Sequence, residues 1–537
     1  MSFEVRCRDM LARLGRIRTK SGIIETPTLL PVVNPKIQLV SPRTLKEEFK
    51  CSAIITNAYI LKRRFGEDAI AEGIHRLLDF DGPIMTDSGA YQILIYGEVD
   101  VRPAEIVAYQ EKISTDIATI LDIPTGWDVT RDVAERTVHE TIKRAKQLST
   151  LKERDDILWV APIQGGRHLD LVAYSAEAVG KLPFPIHALG SPTEVLKHYR
   201  FDVLVDMIMT AKMNMPPQRP LHLFGAGHPF MFGLAVALGC DIFDSAAYAI
   251  FARNDRYMTE YGTKRLRELE YLPCSCPICS KIDVAELKDL QSDERQKTLA
   301  KHNLYVSFAE LKRIKQSVKE GRLWEHIEER AHTHPTLLQA VRQLKKYEAY
   351  IERHDPISKP SGLFFFTGLG LARPEVVRYR RLLKQRIVLR EKTETLILLP
   401  RLSKKPFHTA REVKQLIKKL DEEFSPEKNL FQICVYAAPF GVIPLELDEI
   451  YPLSQHEVAL PHDSETVNYV LQQIKDFIAA SKCHRVILVK DAFFWRNIPL
   501  KKRLMMKGLS VEILPVKGPL EESVLNDIVR TLKDPVV

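Results

Sequence analysis

The sequence predicts an α/β protein whose larger part is a (β/α)₈ TIM barrel, followed by a smaller α/β domain. Between residues 23 and 248, short apolar runs rich in β-branched residues alternate with longer amphipathic segments, which is typical of repeated strand–helix units. The alternation contains eight apolar runs in about 230 residues, and closed barrels of eight units usually have about 250 residues. The runs are 23–33, 53–61, 83–88, 117–123, 158–163, 185–189, 220–224 and 240–245.

Helix-like segments separate these runs. Residues 102–114 and 129–150, for example, combine charged residues with apolar residues at helical spacing. An open doubly wound sheet is the alternative architecture for such an alternation. It is disfavoured because no G-x-G-x-x-G turn follows the first predicted strand, so the sequence does not support a dinucleotide site there.

Three carboxylates, an amide and several glycines lie at the ends of the predicted strands. Active sites of this fold collect at the carboxyl ends of the strands. A single aspartate after a strand is often only a helix N-cap, but convergence at six strand ends favours a functional site on one rim. The residues of this predicted site are Asp87, Asp122, Gln164, Gly190 and Asp244.

Asp244 and Asp87 are the predicted catalytic pair. Two carboxylates that face one pocket suit substitution at an acetal-like carbon, because one can form a covalent sugar ester while the other transfers protons. Asp122, Gln164 and Gly190 offer acceptors and donors of the kind that bind the edge of a heterocyclic base. If that base belongs to RNA, it must first turn out of its strand into the pocket.

Three cysteines and a histidine form a second motif, after the predicted barrel. Cys274, Cys276 and Cys279 are closely spaced, and His302 comes after 22 intervening residues. Three thiolates and an imidazole are a set that binds structural zinc tetrahedrally and leaves no open coordination position. We therefore predict one structural Zn²⁺ ion, in a zinc subdomain at about residues 265–310.

A proline-containing joint at 355–360 divides the chain into two predicted domains, 1–355 and 356–537. Within the first domain, residues 303–355 are predicted to form basic amphipathic helices. The second domain has strand-like runs separated by helix-like segments, which predicts a small α/β domain. Its strand-like runs are 395–399, 430–437, 485–489 and 511–515, and its helix-like segments include 409–424 and 464–481.

Composition excludes several classes of protein. Hydrophobic residues make up 45% and charged residues 27%, the ordinary globular mixture, and no apolar run of 18 or more residues could span a bilayer. Eight cysteines in 537 residues do not make a disulfide framework. We therefore expect a soluble protein of the reducing cytoplasm that has no membrane partner.

The net charge of +9 is unevenly distributed. Residues 301–420 contain 27 basic and 12 acidic side chains, a local charge of +15, whereas the rest of the chain carries −6. This basic segment is either a set of solvated helix faces or a surface that binds nucleic-acid phosphates.

Several ungapped segments resemble the archaeal tRNA-guanine transglycosylases. They are MTDSGAYQ at 85–92, LDIP at 121–124, HLFGAGHP at 222–229 and FDSAAY at 243–248, together with the cysteine–histidine motif. The resemblance covers residues 5 to 355. It implies a zinc-bearing TIM barrel that exchanges guanine at position 15 in the tRNA D-loop for 7-cyano-7-deazaguanine (preQ0), the precursor of archaeosine.

The resemblance also implies roles for individual residues. Asp244 looks like the nucleophile on the anomeric carbon of the ribose, and Asp87 looks like the general acid/base. Base recognition is implied for Asp122, Gln164 and Gly190. Tyr91 looks placed to stack over the bound base.

Partners follow from the same resemblance: tRNA, preQ0 and guanine, and a second copy of the chain in a homodimer formed through the zinc region.

Two departures from the family pattern stand out. Ser191 replaces the second of two adjacent glycines found in many relatives, and we expect it to alter the loop over the base. No PUA RNA-binding domain is recognised, so the basic segment 301–420 or a separate RNA-binding subunit is expected to contact the D-arm.

Two alternative functions remain open. A non-catalytic tRNA-binding subunit would keep the barrel and the zinc, but the presence of all three rim aspartates argues against it. An enzyme like archaeosine synthase, which adds nitrogen to the nitrile of the inserted base, is suggested by residues 439–455. Such an enzyme would not need the base-exchange carboxylates.

Overall fold

The computed structural model describes residues 3–90, 101–385, 393–424, 430–481, 483–496, 498–516 and 518–534. The chain divides into two compact units, Met1–Asp355 and Pro356–Val537. Among the described residues, no helix combines the length and the apolar character that crossing a membrane requires.

An antiparallel sheet of three strands precedes the barrel. Its strands are β1 (Phe3–Asp9), β2 (Ala12–Thr19) and β3 (Gly22–Thr26). β3 belongs to the apolar run predicted at 23–33, which the structure divides into two strands. The division occurs at Pro27, which has no amide hydrogen to donate to a strand ladder.

Eight parallel strands form the barrel, and the eight predicted runs supply all of them, which confirms the predicted fold class. Each strand neighbours the next along the chain, and the first and last strands also pair. The strands are β4 (Thr28–Pro31), β5 (Ile54–Asn57), β6 (Ile84–Asp87), β7 (Ile117–Thr119), β8 (Leu158–Ile163), β9 (Ile186–Leu189), β10 (Leu221–Leu223) and β11 (Ile242–Ser245).

Closure of the barrel occurs between β4 and β5. A parallel bridge joins Val32 to Ile55, and the Val33 amide donates to the Ile55 carbonyl over 2.8 Å. Apolar side chains from all around the barrel fill its interior, so the barrel is a packed core rather than a pore. They include Leu30, Ile55, Met85, Ile117, Val160, Ile186 and Ile242.

Helices follow the barrel strands. Asn57 ends β5 and caps the next helix, because its side chain accepts a hydrogen bond from the Ile60 amide. Two further helices begin with Pro103 and Pro229, where the missing amide hydrogen costs nothing. The helices are α1 (Pro42–Glu47), α2 (Ala58–Glu72), α3 (Ile74–Leu77), α4 (Pro103–Lys112), α5 (Arg131–Leu151), α6 (Leu169–Gly180), α7 (Pro192–Lys197), α8 (Phe201–Asn214), α9 (Pro229–Ala237) and α10 (Ala247–Arg253).

A hairpin and five helices complete the first unit. Asp283 and Glu286 form a capping box at the start of the first of these helices, and Gly321 ends the second with a φ of +72°. The elements are β12 (Arg256–Thr259), β13 (Gly262–Arg265), α11 (Val284–Asp289), α12 (Ser292–Glu320), α13 (Leu323–Ala331), α14 (Pro335–Gln343) and α15 (Glu348–His354).

The second unit contains a five-stranded sheet and a separate pair of parallel strands, which confirms a smaller C-terminal α/β domain. Its strands are β14 (Leu363–Phe365), β15 (Thr395–Pro400), β16 (Phe431–Ala437), β17 (Gly441–Pro444), β18 (His456–Val458), β19 (Arg485–Asp491) and β20 (Ser510–Val516). Its helices are α16 (Pro374–Gln385), α17 (Arg411–Glu423), α18 (Ser464–Ala480), α19 (Leu500–Leu504) and α20 (Glu522–Lys533).

The order of strands in the larger sheet is β17-β16-β15-β19-β20. The four predicted runs correspond to β15, β16, β19 and β20, which are parallel to their partners in this group. β17 pairs antiparallel to β16 and was not predicted as a strand, because a four-residue segment between a glycine and a proline resembles a loop.

Candidate active site

The barrel brings the predicted polar residues to one rim. Asp87 is the last residue of β6, and Asp244 is the last but one of β11. Gln164 and Gly190 directly follow β8 and β9, and Asp122 lies shortly after β7. Because parallel barrel strands end at the same face, residues from five distant segments of the chain meet there.

Asp87 is partly buried and surrounded by negative charge. Asn57, its partner in the β5–β6 register, donates from Nδ2 to Asp87 Oδ2 over 2.9 Å, and the Gly89 amide donates to the same oxygen at 3.3 Å. Burial, together with the charges of Asp122 and Asp244, raises the pKa of Asp87 to about 7. A carboxyl group with this pKa can donate or accept a proton near neutral pH.

Asp122 and Gln164 form a hydrogen-bonded pair. Gln164 donates from Nε2 to Asp122 Oδ2 over 2.5 Å, and its Oε1 accepts from the Thr125 amide at 3.0 Å and from the Ser191 hydroxyl at 3.1 Å. These bonds determine which end of the amide carries the oxygen. Burial raises the pKa of Asp122 to about 6, so this carboxyl group is mostly ionised at neutral pH.

The loop after β9 packs directly on Gln164. A Cβ atom at Gly190 would lie 2.2 Å from Gln164 Nε2, so no larger residue fits without moving the amide. The Gly190 amide already donates to the Ile163 carbonyl, so this residue contributes space rather than a free donor. Ser191 has a φ of +64°, in the region that favours glycine, and therefore keeps the turn while adding a bond to Gln164.

A histidine and a backbone amide orient Asp244. Nε2 of His222 and the amide of Gly225 both donate to Asp244 Oδ1 over 2.8 Å. His222 is fully buried, and its Nδ1 has no partner among the described residues, which fits a ring that carries a proton on Nε2. Oδ2 of Asp244 accepts no hydrogen bond within the described part of the chain and is available to act as a nucleophile.

Cys274, Cys276, Cys279 and His302 form a candidate metal centre apart from the strand ends. Their ligand atoms all lie within 4.8 Å of one another. The sulfurs of Cys276 and Cys279 are 3.6 Å apart, and Nδ1 of His302 lies 3.5 and 3.2 Å from them. A tetrahedral zinc site places its ligand atoms about 3.5 to 3.8 Å apart, so the cluster has the dimensions of a metal site.

Neighbouring groups hold the His302 ring in the orientation that a metal requires. Its Nε2 donates to the Met258 carbonyl over 2.9 Å, which leaves Nδ1 directed at the sulfurs. Tyr257 stacks on the imidazole with ring centroids 3.7 Å apart, and its hydroxyl lies 3.2 Å from the sulfur of Cys279. The two residues come from β12, so the hairpin supports the ligand set.

Comparison with known proteins identifies the family. The model of a family described as queuine tRNA-ribosyltransferase matches residues 7–336, which is more than half of the chain. The chain belongs to this family. A second family model, described as a domain of unknown function (DUF5591), matches residues 376–498.

Relatives within the queuine tRNA-ribosyltransferase family share more than the barrel. A tRNA-guanine(15) transglycosylase of Methanocaldococcus jannaschii is 43% identical over 475 residues, which cover 87% of this chain and 70% of the relative. One of Saccharolobus solfataricus is 42% identical over 497 residues, covering 91% of this chain and 96% of the relative. One of Methanococcus vannielii is 42% identical over 492 residues, covering 89% and 72%.

Family membership confirms the predicted resemblance and the predicted class of enzyme, the tRNA-guanine transglycosylases.

Of the predicted site residues, Tyr91 lies outside the described residues. Asn57 and His222 were not assigned roles in the site, although each contacts a residue that was. Ser191 was expected to alter the loop over the base, but its hydrogen bond to Gln164 was not predicted. Asn57 ends a predicted strand and His222 lies in the segment 222–229, but their contacts reach 30 and 22 residues along the chain.

Proposed function

We propose that this protein exchanges guanine at position 15 of tRNA for preQ0 through a covalent intermediate on Asp244. One observation carries the proposal: an oriented carboxylate with an available oxygen, Asp244, shares a rim with Asp87, whose pKa is about 7. Relatives named tRNA-guanine(15) transglycosylase support the position and the departing base. No observation favours the two alternative functions over this one.

In the first step, Asp244 Oδ2 forms a bond to C1′ of the ribose while the bond from C1′ to guanine N9 breaks. The electron pair leaves with guanine, and protonated Asp87 donates its proton to N7 of the departing base. His222 and Gly225 keep hydrogen bonds to Oδ1, which orients Oδ2 toward the sugar. The tRNA is then an ester of Asp244, and Asp87 is a carboxylate.

In the second step, the Asp87 carboxylate accepts the N9 proton of preQ0, and N9 attacks C1′. The bond from C1′ to Asp244 breaks and returns the electron pair to the carboxylate. One N-glycosidic bond replaces another, so the exchange consumes no water. The reverse reaction is disfavoured because a 7-deazapurine has carbon in place of the N7 atom that Asp87 protonates in guanine.

Base recognition is assigned to Asp122, Gln164 and the space at Gly190. Guanine and preQ0 share an edge with N1–H and 2-amino donors and an O6 acceptor, so one set of groups can bind both. Asp122, mostly ionised, accepts from the donors, and the second hydrogen of Gln164 Nε2 is directed to O6. Tyr91 is proposed to cover the base by stacking, as the family resemblance implies.

A basic cavity beside α10 supports tRNA as the substrate. It has a volume of about 730 Å³ and lies beside α10, which begins three residues after Asp244. Arg256 and Arg265 face each other across the β12–β13 hairpin, an arrangement of like charges that a bound phosphate would stabilise. The lining residues are Ile250, Phe251, Asn254, Asp255, Arg256, Arg265, Leu266, Arg267, Lys288 and Arg295.

Several cations of the basic segment 301–420 have carboxylate partners within the protein. Arg330 and Arg313 both pair with Glu310, which is fully buried. Lys346 pairs with Asp206 at 3.1 Å. These side chains are less available to phosphates than the charge count of the segment predicts.

We propose that the candidate metal centre holds a structural Zn²⁺ ion. Three thiolates and an imidazole favour zinc, and a closed set of four protein ligands suits a structural role. Cys276→Ser should therefore remove most of the metal found by elemental mass spectrometry and lower the melting temperature. Cys7→Ser is the matched control, because Cys7 is a partly buried cysteine away from the cluster. A metal-free wild-type protein with full thermal stability would contradict the proposal.

Asp244→Asn tests the proposed reaction. Incubation with tRNA and labelled preQ0 should show incorporation lowered by at least about 10³-fold, because the amide cannot form the ester. A protein–tRNA adduct that survives denaturation should form with the wild type and not with the variant. Asp155→Asn is the control, since Asp155 is 93% exposed on the surface. Undiminished incorporation by Asp244→Asn would exclude Asp244 as the nucleophile.

Three further expectations stay predictions. Sedimentation of the purified protein measures the homodimer expected from the family resemblance. Purification of the tagged protein from its own cells would show whether a separate RNA-binding subunit accompanies it. Fractionation of the same cells measures the expected cytoplasmic location.

A further inference from the structure

Each loop that carries a proposed base-recognition residue also carries an aromatic or basic side chain a few residues later in the sequence. Trp127 follows Asp122 in the loop after β7, Arg167 follows Gln164 in the loop after β8, and His198 ends the helix that follows Gly190. The three groups come together. The imidazole of His198 lies 6.1 Å from the indole of Trp127 with 27° between the ring planes, and the Arg167 guanidinium lies over the same indole at 6.0 Å.

Hydrogen bonds between two of these loops hold Trp127 at a defined place relative to Gln164. Thr125, two residues before the tryptophan, accepts from the Gly165 amide at 3.2 Å and donates its own amide hydrogen to Gln164 Oε1. Its hydroxyl also lies 2.8 Å from that of Thr137 in α5. The indole is therefore attached to the same rigid loops as the base-recognition amide.

The cluster formed by Trp127, Arg167 and His198 is open to solvent. Trp127 is partly exposed, whereas the other three tryptophans of the chain are at most 3% exposed. Arg167 is half exposed, and its carboxylate partner, Asp128, lies 3.5 Å away and is 80% exposed. An ion pair of this kind contributes little and can exchange its carboxylate for a phosphate.

We propose that Trp127 stacks on the base next to the target nucleotide of tRNA, while Arg167 and His198 contact the adjoining phosphate. The proposal rests on the proposed function. Turning the target base out of its strand breaks its stacking on both neighbours, so a neighbouring base loses a partner. Aromatic rings and guanidinium groups are the surfaces on which unpaired RNA bases stack. The cluster offers both, on the loops that receive the target base.

A second exposed aromatic pair in the same unit provides a matched control. Tyr174 in α6 is 46% exposed, and its ring centroid lies 5.6 Å from that of His139 in α5, with 63° between the ring planes. Both residues belong to helices rather than to the rim loops. Substitution of Tyr174 therefore removes a solvent-exposed aromatic ring without touching the proposed stacking surface.

Intrinsic fluorescence detects the stacking directly, because Trp127 is the one tryptophan of the four that solvent reaches to a substantial extent. Addition of tRNA should quench the fluorescence of the wild type and of Tyr174→Ala. Trp127→Phe should still bind tRNA but show no quenching. Equal quenching of the wild type and Trp127→Phe would overturn the proposal.

Kinetics measure the contribution of the stack. Trp127→Ala should raise the KM for tRNA about tenfold, within the range measured for single base–aromatic stacks, and leave the KM for preQ0 unchanged. Trp127→Phe should stay within about threefold of the wild type, since a ring is retained. Arg167→Gln should lower the slope of log affinity against log salt by about 0.7, the value for one phosphate of a single strand. An unchanged tRNA KM for Trp127→Ala, with a wild-type melting temperature, would overturn the assignment.

A tRNA that lacks the bases on either side of position 15 completes the test. On this substrate, Trp127→Ala and the wild type should have equal affinity, because there is no base to stack. A penalty that persists on the abasic tRNA would overturn the proposal. If the wild type exchanged no guanine at all, the proposed function would be wrong. Fluorescence quenching by intact tRNA, and the affinity of the variants for it, would still decide the role of Trp127.

Discussion

Two carboxylates that are at least partly buried, Asp87 in the first unit and Glu375 in the second, have opposite surroundings. Asp87 in the first unit has amide hydrogen-bond partners and negatively charged neighbours, and burial with these charges raises its pKa to about 7. Glu375 in the second unit lies 2.7 Å from the Lys359 ammonium and 3.1 Å from the Arg373 guanidinium. Burial alone would raise the pKa of Glu375, but these two cations outweigh it and hold the pKa well below its usual range.

The difference shows that burial does not decide what a carboxyl group can do. Lys359 and Arg373 balance the negative charge of Glu375, which stays ionised at any physiological pH. Its role is therefore structural. Asp87 is left without a cation, which costs stability when it ionises but makes its proton available for transfer. The comparison predicts that replacing each carboxylate by an amide has opposite effects on the free energy of unfolding. Only the replacement of Asp87 should affect the rate of base exchange.

The largest expected effect is on catalysis by Asp87→Asn. Single-turnover incorporation of preQ0 should fall by about 10² to 10⁴-fold, since the amide cannot exchange a proton. The wild-type rate should depend on a group with a pKa near 7, and this dependence should disappear in the variant. Affinity for tRNA should stay the same, because the proton transfer proposed for Asp87 follows binding. A variant with the wild-type rate and pH profile would contradict the assignment of Asp87.

Glu375→Gln should have the second largest effect, on stability. It leaves two buried cations without their carboxylate and should lower the free energy of unfolding by ~3 to 5 kcal/mol at pH 7. Because the pKa of Glu375 is lower folded than unfolded, the stabilisation is present above its ordinary pKa and is lost as pH falls below it. Urea titrations at pH 7 and pH 4 measure both effects. Glu422→Gln, on the surface of α17, is the control.

Asp87→Asn should change stability in the opposite direction. The folded wild type holds the Asp87 proton up to about pH 7, while the unfolded chain releases it near pH 3.8, so wild-type stability falls as pH rises between these values. At pH 8 the variant should be more stable by up to about 4 kcal/mol, because the two pKa values differ by about three units. Below pH 3.8 the advantage should vanish. A variant less stable than the wild type at pH 8 would break the comparison.

The smallest expected effect is at Ser191. Ser191→Gly removes the bond to Gln164 but relieves a φ of +64°, so the two changes in stability should nearly cancel. The KM for preQ0 should rise only a few-fold, because the Thr125 amide still orients Gln164. Ser191→Ala loses the bond without relieving the backbone and should be less stable than Ser191→Gly by about 1 kcal/mol. Equal melting temperatures of the two variants would show that the backbone at this position is not strained.

Parts of the molecule that depend on local patterns were predicted correctly. Eight apolar runs marked the barrel strands, since strand periodicity and length are visible in a few residues. Strands β1, β2 and β17 were missed, because β1 and β2 carry many charged residues and β17 is only four residues long. Cys274, Cys276 and Cys279 marked the candidate metal centre because close spacing along the chain is itself the signal.

By itself, the sequence determined the class of fold, the family and the segments that carry the rim carboxylates, because periodicity and ungapped motifs are local properties. Only the tertiary structure decided the hydrogen-bond partners of the rim residues. They are Asn57 for Asp87, His222 for Asp244 and Ser191 for Gln164. Opposite pKa shifts of Asp87 and Glu375, and the cluster around Trp127, were likewise invisible in the chain order. Hydrogen bonds, burial and Coulomb interactions depend on distances in space, and the fold creates these distances between residues far apart in sequence.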